Sequence, residues 1–388
     1  MLMNVLIWAT TFGGDLWSLA RFLDNRPEVR LRIVLDDPHT FSQQGVARLF
    51  PLKAEIVERR WYHNLPSKKW DITILDNGIP LFRTSRTALI LWHGFGWKGP
   101  NDEKELWLLH SWLRRTWGDI RRPNPNLVWQ AFGPWDFKHR TEISAVHPDN
   151  CRILGAASHD DLIKPIDRAK AQPYYPFDVI GKKTVLIAPT WHYGEVFAHW
   201  GRDAELLNIL LTHIDQLGAN TIMRLHDLYR FDSNYLEFLK GLPKRHSNLV
   251  LKFKDKAPDN FLDMQVSDVL ITNFSSIANL FYATRRPTIH VYPVKNADES
   301  FMRRTLRWSG VRKKQIDKAR YIWKLPPEDN GGLLAHTFDQ LLEQLDLAIT
   351  DPTCCVDASN KFLKKHMLGA DSNSCQRIWD TMVDLAGR

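Results

Sequence analysis

The sequence predicts an α/β protein built from two doubly wound domains, and two observations carry that prediction. Continuous apolar runs of strand length alternate with segments of helical periodicity along most of the 388 residues. Strands that are apolar throughout and are separated by helices are typical of parallel sheets covered on both faces. The series also runs twice, before and after the proline-rich stretch KPIDRAKAQPYYPFDVIGKK at residues 164–183. We therefore expect two domains that are joined by this linker and face each other across a central cleft.

The predicted elements follow one another in order along each series. The apolar runs of the first series are NVLIWAT, LRIVLDD, WDITILDNG, TALILWHG, NLVWQAF and CRILGAA, with the helical pattern DLWSLARFLDN after the first. Those of the second are TVLIAPT, NTIMRLH, NLVLKF, VLITNFSS and PTIHVYP, with the helical pattern DAELLNILLTHIDQLG after the first. We expect an N-terminal domain over residues 1–175, a C-terminal domain over 176–350 and a helical segment over 351–388.

The composition is that of a folded protein with an anionic partner. Apolar residues make up 44% and charged residues 25% of the chain, which excludes a disordered protein. The 52 basic and 44 acidic residues give a net charge of +8, which favours an anionic partner. The 16 tryptophans indicate either aromatic packing or a surface that meets membrane headgroups.

The cysteines and the N-terminus predict a cytoplasmic protein. The four cysteines have neither the spacing of a metal site nor the density of a disulfide framework, which fits a reducing compartment. The N-terminal stretch MLMNVLIWATTFGG is short and lacks a basic region before its apolar part, so we interpret it as a buried strand. No apolar run approaches the roughly 18 residues of a membrane-spanning helix. A membrane association would therefore be peripheral.

Four predicted strand ends carry residues suited to phosphate binding and proton transfer. Ligands of doubly wound sheets bind beyond the carboxyl ends of the strands. A single histidine at a strand end is usually structural, but four such ends together favour a functional site. They hold His93, Gly94 and Lys98; Thr190, Trp191 and His192; Arg224, His226 and Asp227; and Thr272, Asn273, Ser275 and Ser276.

The last of these ends leads directly into a predicted helix. A helix N-terminus exposes unpaired N–H groups and a partial positive charge, which favour an anion. The hydroxyls of Ser275 and Ser276 could add hydrogen bonds to phosphate oxygens. The simpler alternative is that one of the two serines only caps the helix.

With these segments, the sequence resembles the CDP-glycerol glycerophosphotransferase family, the teichoic-acid primases and polymerases of bacterial cell walls. The family's segments are Trp-His-Gly, Pro-Thr-Trp, Arg-Leu-His and Ser-Asp-x-x-Ile-Thr-Asp-Tyr-Ser-Ser, in this order. Here they read LWHGFGWKG (91–99), APTWHYGE (188–195), MRLHD (223–227) and VSDVLITNFSSIANLFYATRRPTI (266–289). The resemblance implies a GT-B-like fold of two Rossmann-like domains, with the active site in the cleft and no need for a metal or cofactor. It also implies that the C-terminal helical segment returns to the first domain.

The sequence departs from the family at several positions. Asn273 stands where the family has Asp, His192 where it has Arg, and Asp227 where it has Pro. Residues 279–281 lack the family's acidic residue, and the segment GAASHDD at 155–161 lacks its Arg. The resemblance to the family survives these differences, but CDP-glycerol does not follow as the donor.

The resemblance assigns a role to each of two histidines. By analogy, His93 and His226 flank the reacting phosphate, and histidine is a natural base because its pKa lies near neutrality. We assign His93 as the base, since the first domain normally binds the acceptor. His226 then binds the pyrophosphate or the leaving phosphate. The exchange of these two roles stays open.

The same resemblance predicts how the donor is held. Hydroxyls and helix N–H groups at Thr272, Ser275 and Ser276 contact the donor phosphate without Mg²⁺. Arg224 either clamps the phosphate or pairs with a structural carboxylate. Gly94 either permits close backbone approach or is an ordinary turn glycine. The predicted donor- or phosphate-binding residues are Gly94, Thr190, Arg224, Thr272, Asn273, Ser275 and Ser276.

Two basic, tryptophan-containing stretches predict contact with an anionic membrane or an acceptor. Residues 103–122 place Leu106, Leu109, Leu113, Trp117 and Ile120 at helical spacing, which fits either an amphipathic membrane helix or a core helix. Residues 303–324 hold nine Lys or Arg and one acid, Asp317. Nucleic acid would explain this charge but not the His and Ser strand ends. The predicted contacts are Trp107, Trp112, Arg114, Arg115, Trp117, Arg303, Arg304, Lys313 and Lys314.

The sequence leaves three functional hypotheses. The first is a cell-envelope transferase that moves a polyol phosphate from a CDP-linked donor to a lipid-linked or oligosaccharide acceptor at the inner face of the membrane. The second is a GT-B glycosyltransferase that uses a nucleotide sugar for capsule or lipopolysaccharide synthesis. The third is a non-catalytic descendant that binds glycan or lipid, which the retention of His93, His226 and the serine pair argues against.

Overall fold

The computed structural model describes residues 2–387 apart from 11, 68, 77, 93, 100–105, 190–196, 198–199, 293–299 and 318–321. Of the strand residues 98–99, 300–303, 316–317 and 322–323 it describes the backbone only. The chain divides into two compact units. Unit 1 comprises Met1–Phe95, Asn101–Lys164 and Leu363–Arg388, and unit 2 comprises Gly96–Pro100 and Pro165–Phe362.

Unit 1 is built on a parallel sheet. Seven described strands pair in the order β3-β2-β1-β4-β5-β7-β8. The apolar runs predicted as strands fill it, and the stretch from Ile72 to Leu75 is fully buried. The strands up to Lys164 are β1 (Met3–Trp8), β2 (Val29–Leu35), β3 (Glu55–Glu58), β4 (Trp70–Leu75), β5 (Ser85–Ile90), β6 (Lys98–Gly99), β7 (Leu127–Ala131) and β8 (Cys151–Ile153).

Unit 2 repeats the same plan. Six described strands pair in parallel in the order β11-β10-β9-β12-β13-β17. The strand order reverses between β9 and β12, which creates the crevice where doubly wound sheets bind ligands. The remaining strands are β9 (Thr184–Ile187), β10 (Asn220–Leu225), β11 (Leu249–Phe253), β12 (Val269–Thr272), β13 (Thr288–Val291), β14 (Ser300–Arg307), β15 (Gly310–Asp317), β16 (Ile322–Trp323) and β17 (Leu333–Ala335).

Helices connect the strands and bury their apolar faces on the sheets. In α8, for example, Leu207, Leu210, Leu211 and Ile214 follow helical spacing and lie in the core of unit 2. The helices are α1 (Gly14–Asp24), α2 (Pro38–Ser42), α3 (Gly45–Leu49), α4 (Trp107–Thr116), α5 (Pro134–Glu142), α6 (Ala157–Leu162), α7 (Arg168–Ala171), α8 (Asp203–Gln216), α9 (Ser233–Arg245), α10 (Phe261–Val266), α11 (Ile277–Phe281), α12 (Phe338–Thr350), α13 (Val356–His366) and α14 (Ser374–Gly387).

The C-terminal helix α14 belongs to unit 1. The carboxylate of Asp160 accepts hydrogen bonds from the backbone N–H groups of Ser374 at 3.0 Å and Cys375 at 2.7 Å. These are donors that a helix leaves unpaired at its start, so Asp160 fixes where α14 begins. The GAASHDD segment therefore has a structural function in this chain.

The units divide at Lys164/Pro165 and at Phe362/Leu363, whereas we predicted boundaries at 175 and 350. The proline-rich stretch is not a free linker, because its side chains bind unit 2. Arg168 pairs with Asp268 at 2.8 Å, and the Tyr175 hydroxyl donates to Asp263 at 2.6 Å. These long-range partners hold the stretch against the sheet from residue 165 onward.

The basic stretch predicted as a surface contact forms a β-hairpin. Strands β14 and β15 pair antiparallel from Ser300↔Asp317 to Arg307↔Gly310, so Trp308 and Ser309 form a two-residue turn. The Trp308 side chain is 100% exposed. Among the described residues, no helix is long and apolar enough to cross a membrane.

Candidate active site

The serine turn, residues 272–276, follows β12 beside the reversal point of the unit 2 sheet. Phe274, at its centre, is buried with φ 62°, a left-handed conformation that bulky residues rarely adopt. Its ring lies 4.5 Å from that of His290 and 5.4 Å from that of Trp97. Strained backbone of this kind is characteristic of functional sites. Packing around Phe274 thus fixes the orientation of the two serines that follow.

Ser275 and Ser276 are both half-buried at this turn. Ser276 occupies the N-cap position of α11 without a side-chain hydrogen bond to the helix, so the capping alternative is wrong for it. The helix itself spans only Ile277–Phe281. Its dipole is therefore small, and the hydroxyls are the main groups that this turn can offer to a phosphate.

Trp97, from the segment LWHGFGWKG, contacts Phe274 of the serine turn. Residues 96–100 group with unit 2, where the backbone oxygen of Trp97 accepts a hydrogen bond from the Lys324 N–H at 2.8 Å. The buried indole ring stacks on Phe362 at 5.0 Å as well as contacting Phe274. Sequence reasoning missed Trp97, which carries no group that suggests phosphate chemistry, and His290, which stands inside a predicted strand and not beyond its end.

Thr272 and Asn273 were predicted to bind the donor phosphate, but both are buried. The Thr272 hydroxyl donates to the Ala188 carbonyl at 2.7 Å and is buried, so it ties the ends of β12 and β9 together. It is not presented to a phosphate as we expected. Asn273 is buried as well, with 2% of its surface exposed.

Arg224 takes the structural alternative left open by the sequence. Its guanidinium is buried and pairs with Asp263 at 2.9 Å, and it donates to the Ala257 carbonyl at 2.5 Å. Asp263 also accepts from Lys252 at 2.6 Å. Burial acts to raise the pKa of Asp263, but the charges of Lys252 and Arg224 outweigh it and lower that pKa. The contacts of Arg224 are thus those of the structural alternative, and its role as a phosphate clamp stays an untested prediction.

His226 follows β10 and lies in a charged cluster. Its Nδ1 is 2.6 Å from the Asp227 carboxylate and 2.8 Å from Nε of Arg230. Burial lowers the pKa of His226, whereas the hydrogen bond and charge of Asp227 oppose that effect. Burial raises the pKa of Asp227 in turn, but His226, Lys254 and Arg230 together hold it well below its usual range. Burial thus favours the neutral form of the ring, and a carboxylate lies beside it.

His93 and Thr190 lie outside the described residues. Gly94 is described as half-buried in the loop after β5. In unit 2, β10 and β12 are the two neighbours of β9 in the sheet. His226 follows β10 and the serine turn follows β12, so both lie at the same edge of the sheet. The described residues contain no group of three or more His, Cys, Asp or Glu that could hold a metal ion.

The predicted membrane contacts divide between core and surface. Trp117 is wrong as a surface residue: it is 2% exposed and its Nε1 donates to the Ser85 carbonyl at 3.1 Å. Trp107, the first residue of α4, is 64% exposed. Arg304 is also not available, because it pairs with Asp232 at 2.9 Å midway along the hairpin. The side chains of Arg114, Arg115, Lys313 and Lys314 are exposed, Trp112 is half-buried, and that of Arg303 lies outside the description.

Comparison with known families confirms the resemblance drawn from the sequence. Residues 169–297 match the CDP-Glycerol:Poly(glycerophosphate) glycerophosphotransferase family. The matched region contains three of the four sequence segments and lies within unit 2. No curated protein sequence matches the chain.

Comparison with solved structures confirms the GT-B-like α/β fold class. The wall teichoic acid polymerase TagF is similar with a TM-score of 0.65 and 15% identity, over 99% of this chain and 89% of that chain. The UDP-GlcNAc 2-epimerase of Neisseria meningitidis, bound to UDP-GlcNAc, gives 0.54 and 13% over 98% and 100% of the chains. The S. aureus MnaA–UDP structure gives 0.53 and 11% over 97% and 95%.

Proposed function

We propose, on the match of residues 169–297 to the CDP-glycerol:poly(glycerophosphate) glycerophosphotransferase family, that this chain is a transferase of cell-envelope polymer synthesis. It moves a polyol phosphate similar to glycerol phosphate from a CDP-linked donor to a hydroxyl of a lipid-linked or oligosaccharide acceptor. The product is a polymer of the teichoic-acid or capsule type. The observation that carries the proposal is that the matched region contains both His226 and the serine turn, at neighbouring carboxyl ends of one sheet.

The chemistry needs a base and a site for the donor phosphate. The acceptor oxygen forms a bond to the donor phosphorus, the bond to the CMP oxygen breaks, and CMP leaves. The acceptor proton passes to a histidine, for which His93 and His226 are the candidates. Ser275 and Ser276 hydrogen-bond the donor phosphate in this proposal; the support is that they follow β12, which lies at the reversal point of the sheet.

The protein acts as a peripheral protein at the inner face of the cell membrane. The support is the hairpin of residues 300–317, where exposed Trp308 stands at the turn and Arg307, Arg312, Lys313 and Lys314 are exposed along the strands. Tryptophan with basic residues is the composition that lies at the headgroup level of anionic membranes. In unit 1, exposed Trp107 with Arg114 and Arg115 adds a second surface of this kind.

A nucleotide-sugar glycosyltransferase is the second candidate. Asn273 replaces the acidic residue of the family's segment, and residues 279–281 lack the acid expected beyond the serine pair. Both changes lie at the predicted donor site and therefore favour a donor other than CDP-glycerol.

A thermal-shift screen of CDP-, UDP-, GDP- and CMP-linked donors separates the two candidates. A donor that binds only the folded protein raises its melting temperature, by the equivalent of about 2.7 kcal/mol at a hundredfold excess over Kd. We expect the CDP-linked donor to give the largest shift. The shift should be lost in Ser275→Ala/Ser276→Ala and kept in Ser233→Ala, an exposed serine of the same unit. A shift with UDP-linked donors alone would support the glycosyltransferase instead.

A further inference from the structure

Two connections of the unit 1 sheet lack the helix that normally joins parallel strands. Such a helix usually covers the sheet with its apolar face. Between β3 and β4 the described residues form only a 3₁₀ turn, Trp61–Asn64, and between β4 and β5 they form no helix. Both connections leave the sheet at the carboxyl ends of their strands, the edge where doubly wound sheets bind ligands. Their side chains are therefore not packed as those of a crossover helix would be.

These two connections expose large apolar side chains. Trp61 is 76% and Tyr62 is 52% exposed, and their rings lie 6.0 Å apart. The Leu81 N–H donates to the side-chain oxygen of Asn64 at 3.0 Å, which holds the two connections against each other. The exposed apolar residues, here called the unit 1 patch, are Trp61, Tyr62, Leu65, Leu81 and Phe82. They present roughly 500 Å² of side-chain surface, which is at the upper end for a monomeric protein and indicates a binding surface.

Positive charge surrounds the unit 1 patch. Residues 59–70 and 78–86 together hold six Lys or Arg and no Asp or Glu. Arg59 and Arg60 each pair with a carboxylate. Lys69, Arg83 and Arg86 are exposed, and they form no ion pair within the described part of the chain. The patch therefore combines apolar surface with a rim of net positive charge.

This combination selects an anionic membrane as the partner. Tryptophan and tyrosine lie at the headgroup level of a bilayer, aliphatic side chains enter the acyl boundary, and basic residues are attracted to anionic headgroups. A second copy of the chain is disfavoured, because a twofold contact would bring the two positive rims together. Nucleic acid would use the charge and the aromatic rings but would leave the leucines exposed. A membrane satisfies the charge and the apolar surface together.

We infer that the unit 1 patch inserts its apolar side chains into the headgroup region of an anionic membrane. The inference rests on the peripheral location proposed above, and it adds an apolar contact to the electrostatic attraction of the hairpin. A single such contact gives only marginal attachment, because stable anchoring takes two signals. The patch thus strengthens a membrane contact that depends on the hairpin charges. It also brings unit 1, where we expect the acceptor to bind, to the surface that would hold a lipid-linked acceptor.

Hydrogen–deuterium exchange of the full chain tests directly which surface meets the membrane. The protein is compared in buffer and on vesicles of phosphatidylglycerol and phosphatidylcholine at low salt. We expect the backbone amides of residues 60–65 and 79–83 to exchange several-fold more slowly on the vesicles. The amides around Ile180, an exposed apolar residue of unit 2, should exchange equally in both states. Protection of the hairpin without protection of these two stretches would overturn the inference.

A substitution variant separates insertion from charge. Trp61→Ser/Leu81→Ser/Phe82→Ser removes apolar surface and leaves the net charge at +8. Its Kd for the same vesicles should rise roughly tenfold or more, and its binding should be more sensitive to salt, since the electrostatic part remains. The matched control is Ile180→Ser/Ile209→Ser/Leu347→Ser, which removes exposed apolar side chains from unit 2 and should leave Kd unchanged. Circular dichroism establishes that both variants are folded.

The possible failures of these experiments are distinguishable. An unchanged Kd in the unit 1 variant would overturn the inference, and so would an equal loss of affinity in the unit 2 control. If the wild type did not bind the vesicles at all, the peripheral location would be wrong as well. Protection of the unit 1 patch in a protein that turns over no CDP-linked donor would instead overturn the proposed transfer reaction and leave the membrane surface in place.

Discussion

Phe274 shows how one strained residue holds the serine turn. A left-handed conformation costs an ordinary residue roughly 1–2 kcal/mol. Here the buried ring packs against His290 and Trp97, and these contacts outweigh the strain. The hydroxyl of Tyr282 in turn bonds Nε2 of His290 at 2.5 Å. The position of Ser275 and Ser276 therefore depends on a buried aromatic cluster and not on the turn alone.

We predict that Phe274→Gly is more stable than Phe274→Ala. Both variants lose the ring, at a cost of roughly 3–5 kcal/mol. Glycine also relieves the strain at φ 62°, so its free energy of unfolding should exceed that of the alanine variant by about 1 kcal/mol. Denaturant unfolding monitored by circular dichroism measures the difference.

Phe281 is the matched control for that comparison. It is equally buried, but it lies in α11 with helical φ, where glycine costs about 1 kcal/mol relative to alanine. The order of the two variants should therefore reverse at Phe281. If alanine were the more stable variant at both positions, Phe274 would not be strained and the turn would not depend on it.

The residues of the site could be predicted from the sequence only in part. His226 and the serine pair stand at strand ends, which a pattern of apolar runs reveals. Asp227 was visible only as a departure, because its contact with the ring depends on backbone angles that the sequence does not specify. Arg224 could not be assigned, since its partner Asp263 lies 39 residues away in the chain.

At the scale of elements, the strands were predictable and their neighbours were not. The apolar runs mark β9, β10 and β12, but their order in the sheet follows from how the crossovers pack. The stretch at 303–324 shows the same limit: its charge was plain, whereas its pairing into a hairpin was not predicted. The helix α4 packs Leu109 and Leu113 in the core and leaves Trp107 exposed, so its core side is confirmed and its membrane contact stays a prediction.

The hairpin should bind anionic membranes through its exposed charges. We predict that the wild type co-sediments with anionic vesicles at low salt and less at high salt, because salt screens the attraction. Each basic residue near the surface contributes about 1 kcal/mol. The variant with Gln at Arg307, Arg312, Lys313 and Lys314 should therefore no longer co-sediment with anionic vesicles at low salt.

A second variant separates this surface from net charge alone. Replacement of Lys170, Lys182, Lys240 and Lys244 by Gln removes the same charge from exposed positions elsewhere in unit 2. This variant should sediment nearly as well as the wild type. If both variants lost the same fraction of vesicle-bound protein, the attraction would depend on net charge and not on the hairpin. If the wild type did not co-sediment with the vesicles, the hairpin would not bind membranes.

At the scale of the whole molecule, the chain consists of two units with the same strand plan. In each, the sheet order reverses next to the first strand of the series, between β1 and β4 and between β9 and β12. This repetition is what the two series of apolar runs predicted. The boundaries were less accurate, since packing of Arg168 and Tyr175 places residues from 165 onward in unit 2.

The central claim is that the chain transfers a polyol phosphate from a CDP-linked donor by means of His226. The most direct measurement is CMP release and transfer of labelled glycerol phosphate from CDP-glycerol to a lipid-linked acceptor, with and without EDTA. The wild type should be active in both conditions, and His226→Ala should lose roughly 10²–10⁴ in rate. His213→Ala, whose ring pairs with Asp346 on the α8 side of unit 2, should remain active. Near-full activity of His226→Ala, or turnover of UDP-sugars in place of any CDP-linked donor, would contradict the account.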